Sequence, residues 1–258
     1  MSGPLGVMAV ILLEAAAGGA AVLWAAGVWG AVRRGFFLLT GITIAVCALG
    51  AWAIARMAAA TSDAPELRRA VLALGAFAGL AVLWQLALLV RQSALSRALG
   101  LAATAVGIVS LVLLGLARER DPLLGIAELA LGGLFLGSTV YGLLLGHWYL
   151  VERRLPGLHM VRASWWYIAG VAAAVGAALL SVRNPPPEIG TGFSPMLAIP
   201  GFSVWLAGGL VAVCALISGF VWKLAQEGGR SIQAATGMFY LAVIMAFSAE
   251  MSSKLGFF

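Results

Sequence analysis

The chain consists of eight long apolar runs separated by short polar stretches. The runs cover about 4–29, 36–57, 69–90, 98–117, 122–150, 163–182, 200–222 and 233–257. Each run is long enough to cross roughly 30 Å of hydrocarbon as an α-helix that rises about 1.5 Å per residue. A β-barrel is disfavoured, because its strands are segments of about ten residues in which apolar and polar positions alternate. The pattern therefore predicts an all-α, polytopic membrane helix bundle with about eight transmembrane helices.

The composition changes this picture little, but it excludes some classes of protein. Hydrophobic residues make up 62% of the chain and charged residues only 10%, whereas soluble domains contain about 25% charged residues. The net charge of +6 does not indicate nucleic-acid binding, because the basic residues lie in short loops between apolar runs. We therefore expect the lipid bilayer as the principal partner, and no nucleic acid.

The loop arginines and lysines predict an orientation in the membrane. Nine of them follow the odd-numbered runs, and seven lie in the other loops and near the C-terminus. Because the cytoplasmic side carries the excess of Lys and Arg, both termini are expected outside. The expected location is a prokaryotic inner (plasma) membrane. The longest connection, 183–199, contains three consecutive prolines, and it is open to three interpretations: a cap over a site, a docking segment or a plain linker.

A short motif occurs twice and suggests an internal repeat. Glu-x-Ala-x-Gly-Gly is found at Glu14–Gly19 in the first run and at Glu128–Gly133 in the fifth. Weaker echoes pair Arg34-Gly-Phe-Phe with Arg162-Ala-Ser-Trp, and 102–104 with 234–236. An even number of spans separates the copies, so both halves have the same direction. We predict two four-helix units, 1–120 and 121–258, in a 4+4 parallel repeat related by a pseudo-two-fold axis along the membrane normal.

The glycines of the repeat predict close helix packing. In each copy the first glycine follows the glutamate by four residues and shares its helix face. Small residues on such a face allow a neighbouring helix to approach closely. We assign a structural role to four glycines: Gly18, Gly19, Gly132 and Gly133. Spans one and five should then lie at the centre of the bundle, with their glutamates directed inward.

Three glutamates lie inside apolar runs, where ionisable groups are costly and usually face an interior or a partner. Glu14, Glu128 and Glu250 are predicted at similar depth in the outer half of the membrane. Together they would form a protonatable or cation-binding site, of which Glu14 and Glu128 are the principal candidates. The alternative is three separate neutral carboxylic acids that form hydrogen bonds between helices. For Glu250 the favoured interpretation is a local ion pair with Lys254, four residues later.

The two histidines do not predict a haem. His147 lies near the inner end of the fifth run and His159 lies in the loop that follows, so the pair is poorly placed to hold one iron between facing helices. His147 is instead a weaker candidate for binding a quinone carbonyl or relaying a proton. The alternative is an interfacial histidine beside Trp148 and Tyr149.

Other chemistry-bearing motifs are not found in the sequence. It contains no P-loop, GxSxG, HExxH or CxxCH motif and no cluster with metal-ligand spacing. Cys47 and Cys214 are interpreted as small apolar residues within spans. We therefore predict no catalytic residues and no metal site. If the chain takes part in an enzyme at all, we expect it to be a membrane subunit of an oxidoreductase complex.

The first span, LLEAAAGGAAVLWA, and the architecture of the whole chain resemble the NrfD/DmsC-type membrane anchors of respiratory complexes. The local likeness is a Gly-Gly stretch in the first span preceded by a polar residue. An early-span histidine of those anchors has no counterpart here. The resemblance implies a haem-free subunit that binds quinol, without a covalently bound cofactor, and passes electrons to an iron–sulfur partner.

Three functions from different classes remain open at the level of sequence. The first is a quinone-interacting membrane subunit of a larger electron-transfer complex, with other subunits as partners. The second is a small proton- or ion-coupled transporter, which the repeat and the buried glutamates favour. The third is a structural scaffold subunit.

Overall fold

A computed structural model describes residues 3–60, 64–118, 121–152, 154–183 and 201–255, with backbone only at 3 and 181–183. Within these ranges the chain forms eight α-helices, all of them long and apolar enough to cross a membrane. They are α1 (Gly3–Ala25), α2 (Arg34–Ala59), α3 (Pro65–Val90), α4 (Ala94–Leu116), α5 (Pro122–Val151), α6 (Leu158–Arg183), α7 (Phe202–Glu227) and α8 (Ser231–Ser253). The prediction of an all-α membrane bundle with eight spans is confirmed, and the fold is that of an integral membrane protein.

Capping residues determine where two of the helices begin. α4 begins at Ala94 rather than 98, because Ser93 and Ser96 form a capping box in which each side chain accepts from the other's backbone N–H. α5 begins at Pro122 as predicted, and the Asp121 side chain accepts hydrogen bonds from the first free N–H groups of the helix. The helices thus continue into polar sequence that apolar runs alone do not include.

Glycine turns shorten other elements. α1 ends at Ala25 rather than 29, because Gly27 and Gly30 have positive φ angles of 65° and 83° and reverse the chain there. α7 begins at Phe202, after Gly201 with φ of 75°. The predicted start of this span at Pro200, and the 183–199 connection beyond Arg183, lie outside the described residues.

The order of helix contacts is the same in both halves of the bundle. α1, α2, α3 and α4 contact one another in chain order and α4 returns to α1, while α5, α6, α7 and α8 do likewise. The halves meet chiefly through α1 and α5, and also through α4 with α5 and α1 with α8. This arrangement agrees with two four-helix units, but neighbour order alone does not establish a structural repeat. The 4+4 repeat therefore stays a prediction.

Glycines allow direct backbone contact between α1 and α5. A Cβ atom on Gly18 would overlap the carbonyl group of Gly133, and one on Gly137 would overlap the backbone of Gly18. Gly132 faces the Glu14 carboxylate, whereas Gly19 makes only an ordinary contact with Ile44. Such contacts bring the helices closer than side chains would allow. We call the side of the bundle where the odd-numbered helices begin the N-side.

Candidate functional site

Five charged side chains come together in the N-side half of the bundle and form what we call the charge cluster. Its acids are Glu14 on α1, Glu128 on α5 and Glu250 on α8, and its bases are Arg118 and Lys254. Each of these residues is at most 6% exposed. The structure thus brings together the three glutamates singled out from the sequence.

Lys254 links three helices at the centre of the cluster. Its Nζ atom lies 3.2 Å from Glu14 Oε1 and 3.7 Å from Glu250 Oε2, and it donates a hydrogen bond of 3.2 Å to the backbone oxygen of Glu128. Burial lowers the pKa of Lys254, but the carboxylates of Glu14, Glu250 and Glu128 raise it more, so the pKa lies above its ordinary value. Lys254 is therefore a charged ammonium shared between two carboxylates.

Arg118 holds the third glutamate in a separate pair. Its guanidinium donates to Glu128 Oε2 at 2.9 Å. Arg118 lies two residues after the end of α4, at a point where α4 and α5 cross closely. At this crossing a Cβ atom on Gly125 would lie 3.0 Å from the carbonyl oxygen of Gly115 and 3.1 Å from Cδ of Arg118. The small residues at the crossing thus make room for the arginine.

Two of the ion pairs connect the first half of the chain to the second. Arg118, at the end of the fourth helix, pairs with Glu128 in the fifth, whereas Lys254, at the end of the eighth helix, pairs with Glu14 in the first. The cation that follows the last helix of each half therefore binds the repeat glutamate of the other half. Lys254 also pairs with Glu250 on its own helix, as the i,i+4 spacing predicted.

The carboxylates keep unused capacity to accept hydrogen bonds. Oε2 of Glu14 and Oε1 of Glu128 are buried and accept no hydrogen bond from the described residues, and Oε1 of Glu14 has only the ammonium of Lys254 beside it, at 3.2 Å. The cluster as described contains three acids and two bases, so one negative charge is not balanced. An unbalanced buried charge costs several kcal/mol, and uptake of one proton by the carboxylates would remove it. The geometry thus suits reversible proton binding.

The cluster is closed toward the opposite side of the membrane between α1 and α5. Gly18 lies one turn after Glu14, and its backbone contact with Gly133 and Gly137 leaves no room for water between the two helices at that level. Glu128 is six residues from the start of α5, roughly 9 Å deep at 1.5 Å per residue. Access to the cluster is therefore shorter from the N-side.

Comparison with family models, with curated proteins and with solved structures finds no match to this chain. The chemistry of the charge cluster must therefore be inferred from its own residues.

His147 lies far from the charge cluster. It is nineteen residues after Glu128 on α5, roughly 28 Å along the helix axis. Its ring is exposed, and Nδ1 lies 3.3 Å from the hydroxyl of Tyr240. His147 therefore cannot act together with the three carboxylates, and its predicted role in quinone binding or proton relay would need a separate site on the opposite side.

Sequence reasoning did not include Arg118 and Lys254 among the site residues. The sequence pattern places both among the basic residues that set topology, and it pairs Lys254 with Glu250 but not with Glu14. A signal was present in the sequence, because each basic residue follows the end of a fourth helix. That signal becomes informative only when α4 is known to pack against α5 and α8 against α1. The hydrophobic pattern of a single span does not show this packing.

Proposed function

We propose that this protein is an integral membrane subunit that takes up protons at the charge cluster during quinol oxidation in a larger electron-transfer complex. Quinol gives up its protons and electrons as it becomes quinone. In this proposal the carboxylates of the cluster accept protons, and the electrons pass to an iron–sulfur protein bound to this subunit. In this proposal the chain itself accepts the protons, positions the accepting carboxylates and excludes water from them.

Two observations support the proposal: the buried carboxylates of the cluster outnumber its bases, and the backbone contact between α1 and α5 closes the cluster toward the opposite side. A general base must be within reach of the proton it accepts and must return it to one side of the membrane. The carboxylates of Glu14 and Glu250, which share the ammonium of Lys254, supply the acceptor, and the Gly18–Gly133 contact closes the path between α1 and α5 toward the opposite side. These features favour release of protons on the N-side.

The ion pairs suggest which carboxylates exchange the proton. Glu128 is held by Arg118 at 2.9 Å, whereas Glu14 and Glu250 share the single ammonium of Lys254. One ammonium balances only one of those two carboxylates, so the proton belongs to the pair formed by Glu14 and Glu250. In the proposed mechanism Glu128 has a positioning role, in contrast to its place as a principal candidate in the sequence analysis.

A proton-coupled transporter is the second candidate, because the same carboxylates suit it. A transporter needs a wet path that reaches both sides of the membrane in turn, and the backbone contact between α1 and α5 would have to open. A quinol-oxidising subunit needs no such movement. The close glycine contact therefore favours the first proposal.

The test uses Glu14→Gln and Glu250→Gln, which keep the side-chain shape and remove the titrating group. The tagged chain would be isolated in mild detergent with its associated subunits, and oxidation of a soluble quinol analogue would be followed with ferricyanide as acceptor. We expect turnover to fall by about 10²-fold or more, as for loss of a general base. Glu227→Gln, at an exposed carboxylate at the end of α7, is the matched control.

The same variants separate the alternatives. If wild type in sealed vesicles moves a solute with protons, and the variants do not, the transporter is supported and quinol oxidation is wrong. If both variants assemble and turn over quinol like wild type, the charge cluster is structural and the chain is best described as a scaffold subunit.

A further inference from the structure

A cavity on the side opposite the charge cluster has no role in the proposed function. It has a volume of about 330 Å³ and lies between the end of α1 and the beginning of α6. It is lined by Ala25, Ala26, Arg162, Trp165 and Trp166. Arg162 is four residues after the start of α6, roughly 6 Å along the helix axis. The cavity therefore lies at the level where lipid headgroups meet the hydrocarbon.

Arg162 brings a positive charge to this cavity that no carboxylate of the described chain neutralises. The ion pairs of the described chain involve other residues, and no described hydrogen-bond acceptor holds the Arg162 guanidinium. By contrast, Arg33 on the same side pairs with Glu152 at 2.9 Å, and Arg34 donates to the last carbonyl groups of α3. An exposed guanidinium in a cavity is free to hold an anion in its planar fork.

Two ring nitrogens near the cavity have no hydrogen-bond partner among the described residues: one belongs to His159, three residues before Arg162, and the other to Trp222, which packs on Trp165. His159, one turn earlier on the same helix face, is 8% exposed, and its Nδ1 atom has no hydrogen-bond partner in the described chain. Trp165 is 55% exposed and its ring packs edge-on against Trp222 at 6.0 Å. The Nε1 atom of Trp222 is buried and likewise has no acceptor among the described residues. Aromatic rings of this kind are typical of the membrane interface.

We propose that this cavity binds the phosphate headgroup of an anionic phospholipid, with Arg162 as the phosphate ligand and Trp165 and Trp166 against the glycerol and upper acyl chain. The surrounding surface supports this occupant. On this side the described basic residues are Arg33, Arg34, Arg91, Arg97, Arg154, Arg162, Lys223 and Arg230, against the acids Glu152 and Glu227. Basic pockets between membrane helices are suited to anionic headgroups.

The test measures binding of defined lipids by native mass spectrometry of the detergent-purified protein. Phosphatidylglycerol and phosphatidylcholine are titrated separately into wild type, Arg162→Gln and Arg97→Gln. Arg97 is exposed on the same side and does not line the cavity, so its variant removes the same charge elsewhere. We expect wild type to prefer phosphatidylglycerol, and Arg162→Gln to weaken the first binding event about five-fold, the effect of one basic residue at a membrane surface.

Three results would overturn the proposal. Equal weakening by Arg162→Gln and Arg97→Gln would show a general effect of surface charge. Equal binding of the two lipids by wild type would show that charge does not select the occupant. Displacement of phosphatidylglycerol by inorganic phosphate at matched ionic strength would identify a site for small soluble anions. Arg162→Lys, which keeps the charge and loses the planar fork, should bind phosphatidylglycerol more weakly than wild type but more tightly than Arg162→Gln.

Discussion

At the residue scale, Lys254 is the side chain on which the charge cluster depends most. It contacts Glu14, Glu250 and the backbone of Glu128, and it is only 2% exposed. Removing one member of a buried ion pair is more costly than replacing the whole pair, because the remaining charge is left in a low dielectric. The three glutamates therefore depend on this one ammonium and on Arg118.

We predict that Lys254→Met lowers the free energy of unfolding by about 3–5 kcal/mol. Adding Glu14→Gln should recover part of that loss, since it removes one of the carboxylates left without a counter-ion. The measurement is a thermal unfolding series in detergent on the two single variants and the double variant. Lys223→Met, at an exposed lysine on α7, should change stability little. Additive losses in the double variant would contradict the pairing.

The raised pKa of Lys254 also predicts the pH dependence of stability. A base whose pKa is higher in the folded state stabilises fully below its unfolded-state pKa, which for a lysine is about 10.5. That contribution is lost as the pH rises through the still higher folded-state pKa. Wild type should therefore lose melting temperature above about pH 10.5 more steeply than Lys254→Met does. Parallel curves for the two proteins would be evidence against a shared, charged Lys254.

At the scale of helices, the contact between α1 and α5 determines how the site is built. The backbones of the two helices are in contact at Gly18, Gly133 and Gly137, about one helical turn from the carboxylates on the side away from the N-side. Glycine is a poor helix former by about 1 kcal/mol relative to alanine, so its presence on these faces indicates a packing requirement.

We predict that Gly18→Ala destabilises the protein, by about 1–3 kcal/mol, because the added methyl group would overlap the Gly133 carbonyl. Gly208→Ala, on α7 with no neighbour within 4 Å of the added atom, should be neutral or slightly stabilising. Melting temperatures in the same detergent provide the comparison. Equal behaviour of the two variants would show that α1 and α5 are not held by this contact.

Helices were easier to predict from the sequence than the site was. Continuous apolar runs identify eight spans because hydrocarbon requires about twenty apolar residues per crossing. The ends differ where Ser93, Gly27 or Gly30 determines the terminus through local hydrogen bonds or positive φ. The glutamates were identified because charges within spans are rare. Their assembly with Arg118 and Lys254 depends on helix packing, which a pattern along one span does not contain.

At the scale of the whole molecule, the orientation of the bundle remains a prediction from the loop arginines. Loops 91–97 and 183–199 should lie on opposite sides of the membrane, with 183–199 outside. Single cysteines placed in each loop, after Cys47 and Cys214 are replaced by alanine, would be labelled from one side only. Labelling of both loops by an impermeant reagent in intact cells would be incompatible with the eight-span topology.

The ion pairs that connect the two halves predict that neither half is stable without the other. Expressed alone, 1–120 would leave Glu14 without Lys254 and Arg118 without Glu128, and 121–258 would leave the opposite partners unmatched. We expect each half to be degraded when made alone and both to accumulate when made together. Immunoblots of membranes from cells that express one or both halves would measure this. Stable accumulation of either half alone would contradict interdependence.

The pairing of Glu14 with Lys254 also has a consequence for biogenesis. The ribosome makes α1 seven helices before α8, so the insertion machinery must accept a helix carrying a carboxylate whose counter-ion has not yet been translated. Until α8 enters the bilayer, Glu14 must be protonated, remain near the translocon or bind a chaperone. A nascent chain arrested before α8 would thus carry an exposed acidic group that membrane quality control can recognise, and insertion of α8 would remove that signal.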